Sequence, residues 1–360
     1  MEQHLKNLVN FYPVSSNQEN VLQLLQYVKN CLELHGMQTK LLQKNGINSL
    51  YASTSKGRHC KLLLQAHIDV VPAEDRPFRS EGGRYYGRGA YDMLFAAAAY
   101  LTLIEQLGDN LRKYDIGLMF SGDEELGGFN GVLPFLEQGY TTDVCILPDA
   151  GNNFGGLSIA AKGISAHTIR IHGKSHHGSR PWEGDGAGAK LIHFLSEVEK
   201  IFDTSDTNNS TVTIATLNAG SAENQGPAHA DTTLDIRYKD KADLEQIKYK
   251  LDILLKKYNG EILKLVEGDN YQLDLSNQHV ENFVTLYEEH IGKPVERTKA
   301  FGSSDARFFA ALDIPVIMFR PDGGGAHGDN EWISVESIEK FYQLLKEYVV
   351  MTATMEKSNE

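Results

Sequence analysis

"LLLQAHIDVVP", residues 62–72, is an apolar run that ends in a histidine and an aspartate two positions apart. A near-continuous hydrophobic run of this length is the pattern of a strand buried on both faces of a parallel sheet. Such a strand has no packing use for His67 and Asp69 at its C-terminal end. Two explanations compete. Either Asp69 caps the strand by bonding a turn amide, or His67 is a metal ligand and Asp69 its orienting carboxylate. The rest of the chain decides between them.

Moving outward, "YDIGLMFSGD" and "DVCILPDA" repeat the buried-strand pattern, while "FAAAAYLTLIEQLGDN" and "GVLPFLEQGY" read as helices ending at Gly or Asn. This βαβ series predicts an α/β fold: a mixed, mostly parallel sheet flanked by helices. Near Lys162 the character changes to one-faced alternation, in the order β-α-β-β-α-β, from "SAHTIRIHGKS" to "GEILKLVEGD". That order predicts an inserted α+β split-βαβ unit of the ferredoxin-like kind over residues 162–274. The α/β pattern resumes with "HVENFVTLYEEHIG", a buried strand at "IPVIMFRP" and a final helix at "SVESIEKFYQLLKEYVV". Residues 1–161 and 275–360 are therefore expected to form one domain around the insert. The N-terminal stretch reads as a first helix, and "MEKSNE" at the C-terminus as frayed.

Composition narrows the function. At 360 residues and 41% hydrophobic content, the chain reads as a soluble globular protein, long enough for two domains or for one large domain with an insertion. It has no apolar run near the roughly 20 residues that span a bilayer, and its polar N-terminus lacks a signal-peptide core. A cytoplasmic protein with no membrane partner is expected. Cys31, Cys60 and Cys145 are few and scattered, which argues against a disulfide framework and against cysteine-held zinc. The net charge of −13 excludes nucleic acid as a natural partner.

Ligands of α/β sheets sit at the C-terminal ends of the strands. Those ends carry His67 and Asp69, the run Asp123-Glu124-Glu125 in "SGDEELGG", and Asp149 in "LPDAG". "GRGAYDM" places Asp92 just before the Ala-rich helix, and "GGGAHGDNEW" places His327 in a Gly-rich loop. Each alone reads as a satisfied structural residue or a solvated face. Together they supply what a two-metal site needs: imidazoles and carboxylates, one carboxylate to bridge, and another left free as general base.

The ordered set "HIDVVP", "GRGAYDM", "GDEELGG", "PDAG", "HHGSRP", "GSSDARFF" and "AHGDNEW" resembles the co-catalytic zinc aminoacylases, dipeptidases and glutamate carboxypeptidases, a family that includes succinyl-diaminopimelate desuccinylases and acetylornithine deacetylases. The resemblance covers nearly the whole chain. It implies two Zn2+ ions, for which Co2+ or Mn2+ can substitute, with Asp92 as the bridge. His67 and Asp149 would complete one site, and Glu125 and His327 the other. Asp69 would hydrogen-bond the second ring nitrogen of His67, and Glu124 would be the general base. The insert would serve as a lid and homodimerisation module. In it, His177 would stabilise the oxyanion, often at the partner's active site, with His176 beside it facing solvent. Asn224 and Arg307 would hold the substrate carboxylate. The peptide bond after Asp92 would be cis.

Two departures bear on substrate. Leu94 and Phe95 stand where most members have Lys-Gly, which would turn the pocket toward apolar groups; "EGDGAGAKL" lacks the family's usual Asn-Ala. Asp149, where deacylase branches tend to carry Glu, favours a dipeptidase- or carboxypeptidase-like enzyme acting on a small peptide; an N-acyl-amino-acid deacylase is the alternative. A non-catalytic dimeric binding protein of the same fold would be expected to lack a ligand or the base, and none is missing. A nucleotide site finds no support, because the third fingerprint glycine falls on Asp92. Neither a G-x-S-x-G elbow nor an H-E-x-x-H helix is present.

Overall fold

A computed structural model of the chain describes residues 1–74, 77–302 and 304–355; the frayed end expected from the sequence falls mostly on residues 356–360, outside the described residues. The chain divides into two compact units. One contains Met1–Ala160, Gln272–Ala300 and the stretch from Ser304 onward; the other is Ala161–Tyr271 with a short piece at Phe301.

In the first unit, β1 (Gln38–Lys44), β2 (Ile47–Ser53), β3 (His59–His67), β4 (Ile116–Ser121) and β5 (Thr141–Ile146) join a short strand, Val316–Ile317, in one six-stranded sheet. The strand order is β1-β2-β4-β3-β5 and then Val316–Ile317. β3 runs parallel to both β4 and β5, and the short strand runs parallel to β5, while β1 and β2 form an antiparallel edge. This is the mixed, mostly parallel sheet the apolar runs predict. Residues 62–67 and all of β4 are buried, so their C-terminal ends emerge together on one side of the core.

Three helices illustrate why the sequence folds this way locally. The N-terminal stretch makes two helices where one was expected, α1 (Glu2–Phe11) and α2 (Gln18–Leu34). Tyr12 turns left-handed at φ 50°, Pro13 cannot continue a helix, and the Asn17 side chain caps α2 by accepting from Asn20 N at 3.3 Å. α3 (Leu94–Leu107) is buried on all sides except at Glu105 and Gln106, as its uniformly apolar sequence requires. Leu94 and Phe95 are fully buried. They are core residues of α3, and the expectation that they line a pocket does not hold. Phe95 meets Phe341 edge-on at 5.4 Å, and Phe341 in turn packs on Phe319 at 4.8 Å. "IPVIMFRP" is buried as predicted from Val316 to Phe319, but only two of its residues enter the ladder.

The second unit has the order β6 (Gly163–His172), α4 (Ala187–Glu199), β7 (Thr211–Ala219), β8 (His229–Tyr238), α5 (Lys241–Tyr258) and β9 (Gly260–Gly268). Its antiparallel sheet runs β7-β8-β6-β9. β6 alternates between buried and half-buried residues, and β8 does so from Ala230 onward. Their buried side chains, among them Ile169, Ile171, Leu234 and Ile236, form one core with Leu191 and Phe194 of α4 and Leu251 of α5. No described helix of the chain is long and apolar enough to cross a membrane.

Replacing Phe95 by Ala removes the ring that joins α3 to Phe341 and leaves a cavity, at a cost of about 3–5 kcal/mol. Urea unfolding should show a lower midpoint with an unchanged slope.

Candidate metal centre

The metal-capable side chains come from segments that the first unit brings to one place. β3 ends at His67, β4 runs into a short 3-10 turn, Glu124–Leu126, and β5 leads to Asp149. Asp92 precedes α3, and the Asp92–Met93 peptide is cis. His327 lies in the Gly-rich loop before Trp332, at φ 61°, a left-handed backbone uncommon outside glycine.

Two groups of possible ligands result, His67 with Asp92 and Asp149, and Asp92 with Glu125 and His327, each within a 4.8 Å span. Asp92 belongs to both, through different oxygens. Its Oδ1 is 3.3 Å from His67 Nε2, and its Oδ2 is 3.3 Å from His327 Nε2. His67 Nε2 also lies 3.7 Å from Asp149 Oδ1, and His327 Nε2 lies 3.0 Å from Glu125 Oε1. All five residues named from the sequence as ligands meet here. The side chain of His67 is buried and that of His327 is 55% exposed, so the two groups differ in their access to solvent.

The electrostatics favour added positive charge. Burial opposes a charged His67, yet the carboxylates of Asp149 and Asp92 beside its Nε2 hold its pKa well above the ordinary value. His327 is pushed up to about 9, first by its hydrogen bond to Asp92. Burial raises Glu124 well above the usual carboxylate range, and the charge of Asp149 adds to it. Glu125 and Asp149 rise for the same first reason, burial, and Asp92 repels both. A divalent cation relieves this crowding of carboxylates and competes with protons for the imidazole nitrogens. The donor set, imidazole and carboxylate with no thiolate, suits zinc, cobalt or manganese.

Asp69 departs from its expected place. The ring nitrogen Nδ1 of His67 meets the main-chain carbonyl of Asp69 at 3.0 Å, while the carboxylate stays 3.7 Å away. A carbonyl can only accept, so neutral His67 carries its proton on Nδ1 and leaves Nε2 bare toward Asp92 and Asp149. The carboxylate of Asp69, fully buried, instead accepts from Glu124 N at 3.1 Å, Glu125 N at 3.3 Å and Ser15 Oγ at 2.7 Å. The capping reading of "LLLQAHIDVVP" therefore holds for the Asp69 side chain, which bonds turn amides, while the imidazole is oriented by the main-chain carbonyl of Asp69 and not by its carboxylate.

Arg307 sits against the loop after Glu125. It is buried, donates to the carbonyl of Gly127, and its guanidinium stacks 4.5 Å from the ring of Phe308 and 5.1 Å from that of Phe129. It therefore grips the loop that carries Glu124 and Glu125. Beneath that loop Asp305, unremarked in the sequence, accepts from Gln65 Nε2 at 3.0 Å and Ser121 Oγ at 2.8 Å. Gly128, at φ 69°, has no room for a side chain because a Cβ would strike the Asp305 carboxylate. Ser15 was equally unforeseen, since "PVSSNQEN" carries no pattern that points 54 residues ahead.

His177 and Asn224 belong to the second unit and lie close together there. Gly178 N donates to Asn224 O at 2.6 Å, and His177 pairs with Gln225 between two-residue strands. His177 is exposed, with Nδ1 2.8 Å from Ser179 Oγ. His176, expected to face solvent, is half-buried and packs against Gly184, Gly186 and Gly226.

Comparison with known proteins identifies the family. Residues 63–350 match the model of Peptidase family M20/M25/M40. The chain belongs to that family. Members are metal-dependent hydrolases of amide bonds, and so is this M20 chain. It is 30% identical to the succinyl-diaminopimelate desuccinylase of Beijerinckia indica subsp. indica over 328 residues, covering 81% of this chain and 82% of that one. The Corynebacterium glutamicum desuccinylase is 29% identical over 318 residues, 84% of each chain. Among solved structures, a tripeptidase from Staphylococcus aureus superposes with a TM-score of 0.81 at 20% identity, covering 98% of this chain and 97% of that one. An M20 family metallo-carboxypeptidase from Sulfolobus solfataricus gives 0.76 at 18% identity, covering 97% and 99%. These structural likenesses establish the shared fold.

Because the Asp69 carboxylate holds the amides of both Glu124 and Glu125, Asp69→Ala should lower metal affinity or activity about 10–100-fold. Metal content and turnover of the purified variant check this.

Proposed function

We propose that this M20 member is a two-metal amidohydrolase that cleaves the amide bond of a small peptide with a free carboxylate. One observation carries the reading: Asp92 directs one carboxylate oxygen to each of two ligand groups. His67, Asp92 and Asp149 would hold one cation, and Asp92, Glu125 and His327 the other. Zn2+ is the proposed metal, with Co2+ or Mn2+ able to substitute. When bound, such a pair supplies Lewis acidity and lowers the pKa of water.

The chain's own residues carry the proton. Glu124 takes it from the attacking water on its carboxylate and returns it to the leaving nitrogen, for which its raised pKa is suited. Adjacent Glu125 is engaged by His327 and is not free for that work. His177 stabilises the developing oxyanion, in cis or from a second copy, and Asn224 contacts the substrate carboxylate. We assign Arg307 to the Glu124–Glu125 loop rather than to substrate, because its guanidinium is already bonded and stacked.

A specific observation favours a second reading. The relatives at 29–30% identity are desuccinylases, which supports N-acyl-amino-acid deacylation by the same water attack. Asp149 in place of Glu supports the peptidase. The second unit would act as lid and homodimerisation module. Its edge strand β7 is largely exposed and presents Leu217, which supports pairing with a second copy. The free cysteines fit a reducing, cytoplasmic setting.

Glu124→Gln should lower kcat about 10²–10⁴-fold with both metals retained by elemental analysis; near-normal turnover rejects Glu124 as the base. A panel of dipeptides against N-acetyl and N-succinyl amino acids separates the two substrate readings, the peptidase predicting preference for a free α-amino group. Leu217→Asp should shift the protein to monomer in light scattering if β7 forms the dimer contact.

A further inference from the structure

Glu331, four residues beyond His327, has one of the most engaged side chains around the centre. Its Oε1 accepts from Tyr91 N at 2.8 Å and Asp92 N at 2.9 Å. Its Oε2 accepts from Gly89 N at 2.9 Å and Arg88 Nη1 at 2.6 Å. An ionised carboxylate has about four acceptor sites, so Glu331 has nothing left to offer a cation. Arg88 in turn donates from Nη2 to the carbonyl of Gly328 at 2.8 Å. Both side chains are buried, at 1% and 2% exposure. The segments they join also run as a ladder, with Tyr86 opposite Trp332 and Gly87 N donating to Glu331 O at 3.1 Å.

We propose that Glu331 and Arg88 are positioning residues: a buried brace that fixes the Asp92 segment against the His327 loop and thereby sets the cation site formed by Asp92, Glu125 and His327. The inference rests on the two-metal reading. Glu331 fixes the main chain of Asp92 directly. Arg88 fixes Gly328, next to His327, whose side chain is half-exposed and whose backbone is held in the left-handed region. Both anchored ligands belong to that one site. The other site shares only Asp92 with the brace, and its His67 and Asp149 are placed by β3 and the segment after β5. An isosteric amide at position 331 has one oxygen to accept with, and its NH2 would face a donor. A lysine at 88 can still pair with Glu331 but cannot fork to the Gly328 carbonyl.

The test is calorimetric titration of Mn2+ into the metal-free full chain, for wild type, Glu331→Gln and Arg88→Lys, with folding checked by circular dichroism. Wild type should take two equivalents. In Glu331→Gln the weaker-held equivalent should lose about 10–100-fold in affinity while the other changes far less, and excess Mn2+ should restore turnover. Arg88→Lys, which keeps the three main-chain bonds to Glu331, should show the same selective loss at about tenfold, on the same scale, and serves alone if Glu331→Gln does not fold. Two equivalents bound with unchanged affinity in the folded variants, or equal weakening of both, would overturn the brace and leave the proposed function standing. A wild-type protein that binds a single equivalent would overturn both.

Discussion

The centre depends on one electrostatic constraint: several carboxylates held together in a partly buried place, with Asp92 facing two ways. Like charges at such distances repel strongly where water is excluded. The upward shifts of Glu124, Glu125 and Asp149 are the signature of that repulsion on top of burial. A protein keeps such a cluster only if the backbone around it is held from several directions. The first unit does so with parallel strands that end side by side, with the buried carboxylate of Asp69, and with the stacked guanidinium of Arg307.

Much of this was legible in the sequence, for a physical reason. A buried parallel strand tolerates few polar residues, so an ionisable group at its end stands out against an apolar run. His67, Glu124, Glu125 and Asp149 were all found that way, and Asp92 and His327 by the glycines around them. The sheet was legible for the same reason, since β3, β4 and β5 are continuous apolar segments. Where the pattern failed, a competing local rule won. Tyr12 and Pro13 broke the first helix in two, and the apolar run of 316–319 was buried with only Val316 and Ile317 in the ladder. Leu94 and Phe95 looked like pocket residues by comparison with relatives, yet the helix they begin is surrounded by core.

The supporting residues were not legible. Ser15 reaches Asp69 across 54 positions, and Gln65 reaches Asp305 across 240. Periodicity describes a residue's neighbours on its own helix or strand and contains no information about such pairings. Asp69 is the instructive case. From "HID" alone a carboxylate on the imidazole and a carboxylate on a turn amide are equally natural. The main-chain carbonyl met the first need, which freed the side chain for the second.

If Glu124 is the base and Glu125 a ligand, as proposed, their adjacency means that environment divides two identical side chains between two tasks. They share one short turn and are anchored through their amides by one aspartate. Glu125 finds an imidazole at 3.0 Å, which favours its ionised form and makes it a donor of electron pairs to a cation. Glu124 is more strongly affected by burial and feels the negative charges of Asp149, Asp305 and Asp69, with the charge of His67 opposing them. Its proton affinity rises accordingly. A carboxylate with raised proton affinity and no imidazole to satisfy it is the better base, and one already matched to an imidazole is the better ligand. The same turn could not serve both needs if its two side chains pointed into equivalent surroundings. On the proposed roles, the separation of base from ligand is therefore a property of where β4 ends relative to Asp149 on one side and His327 on the other.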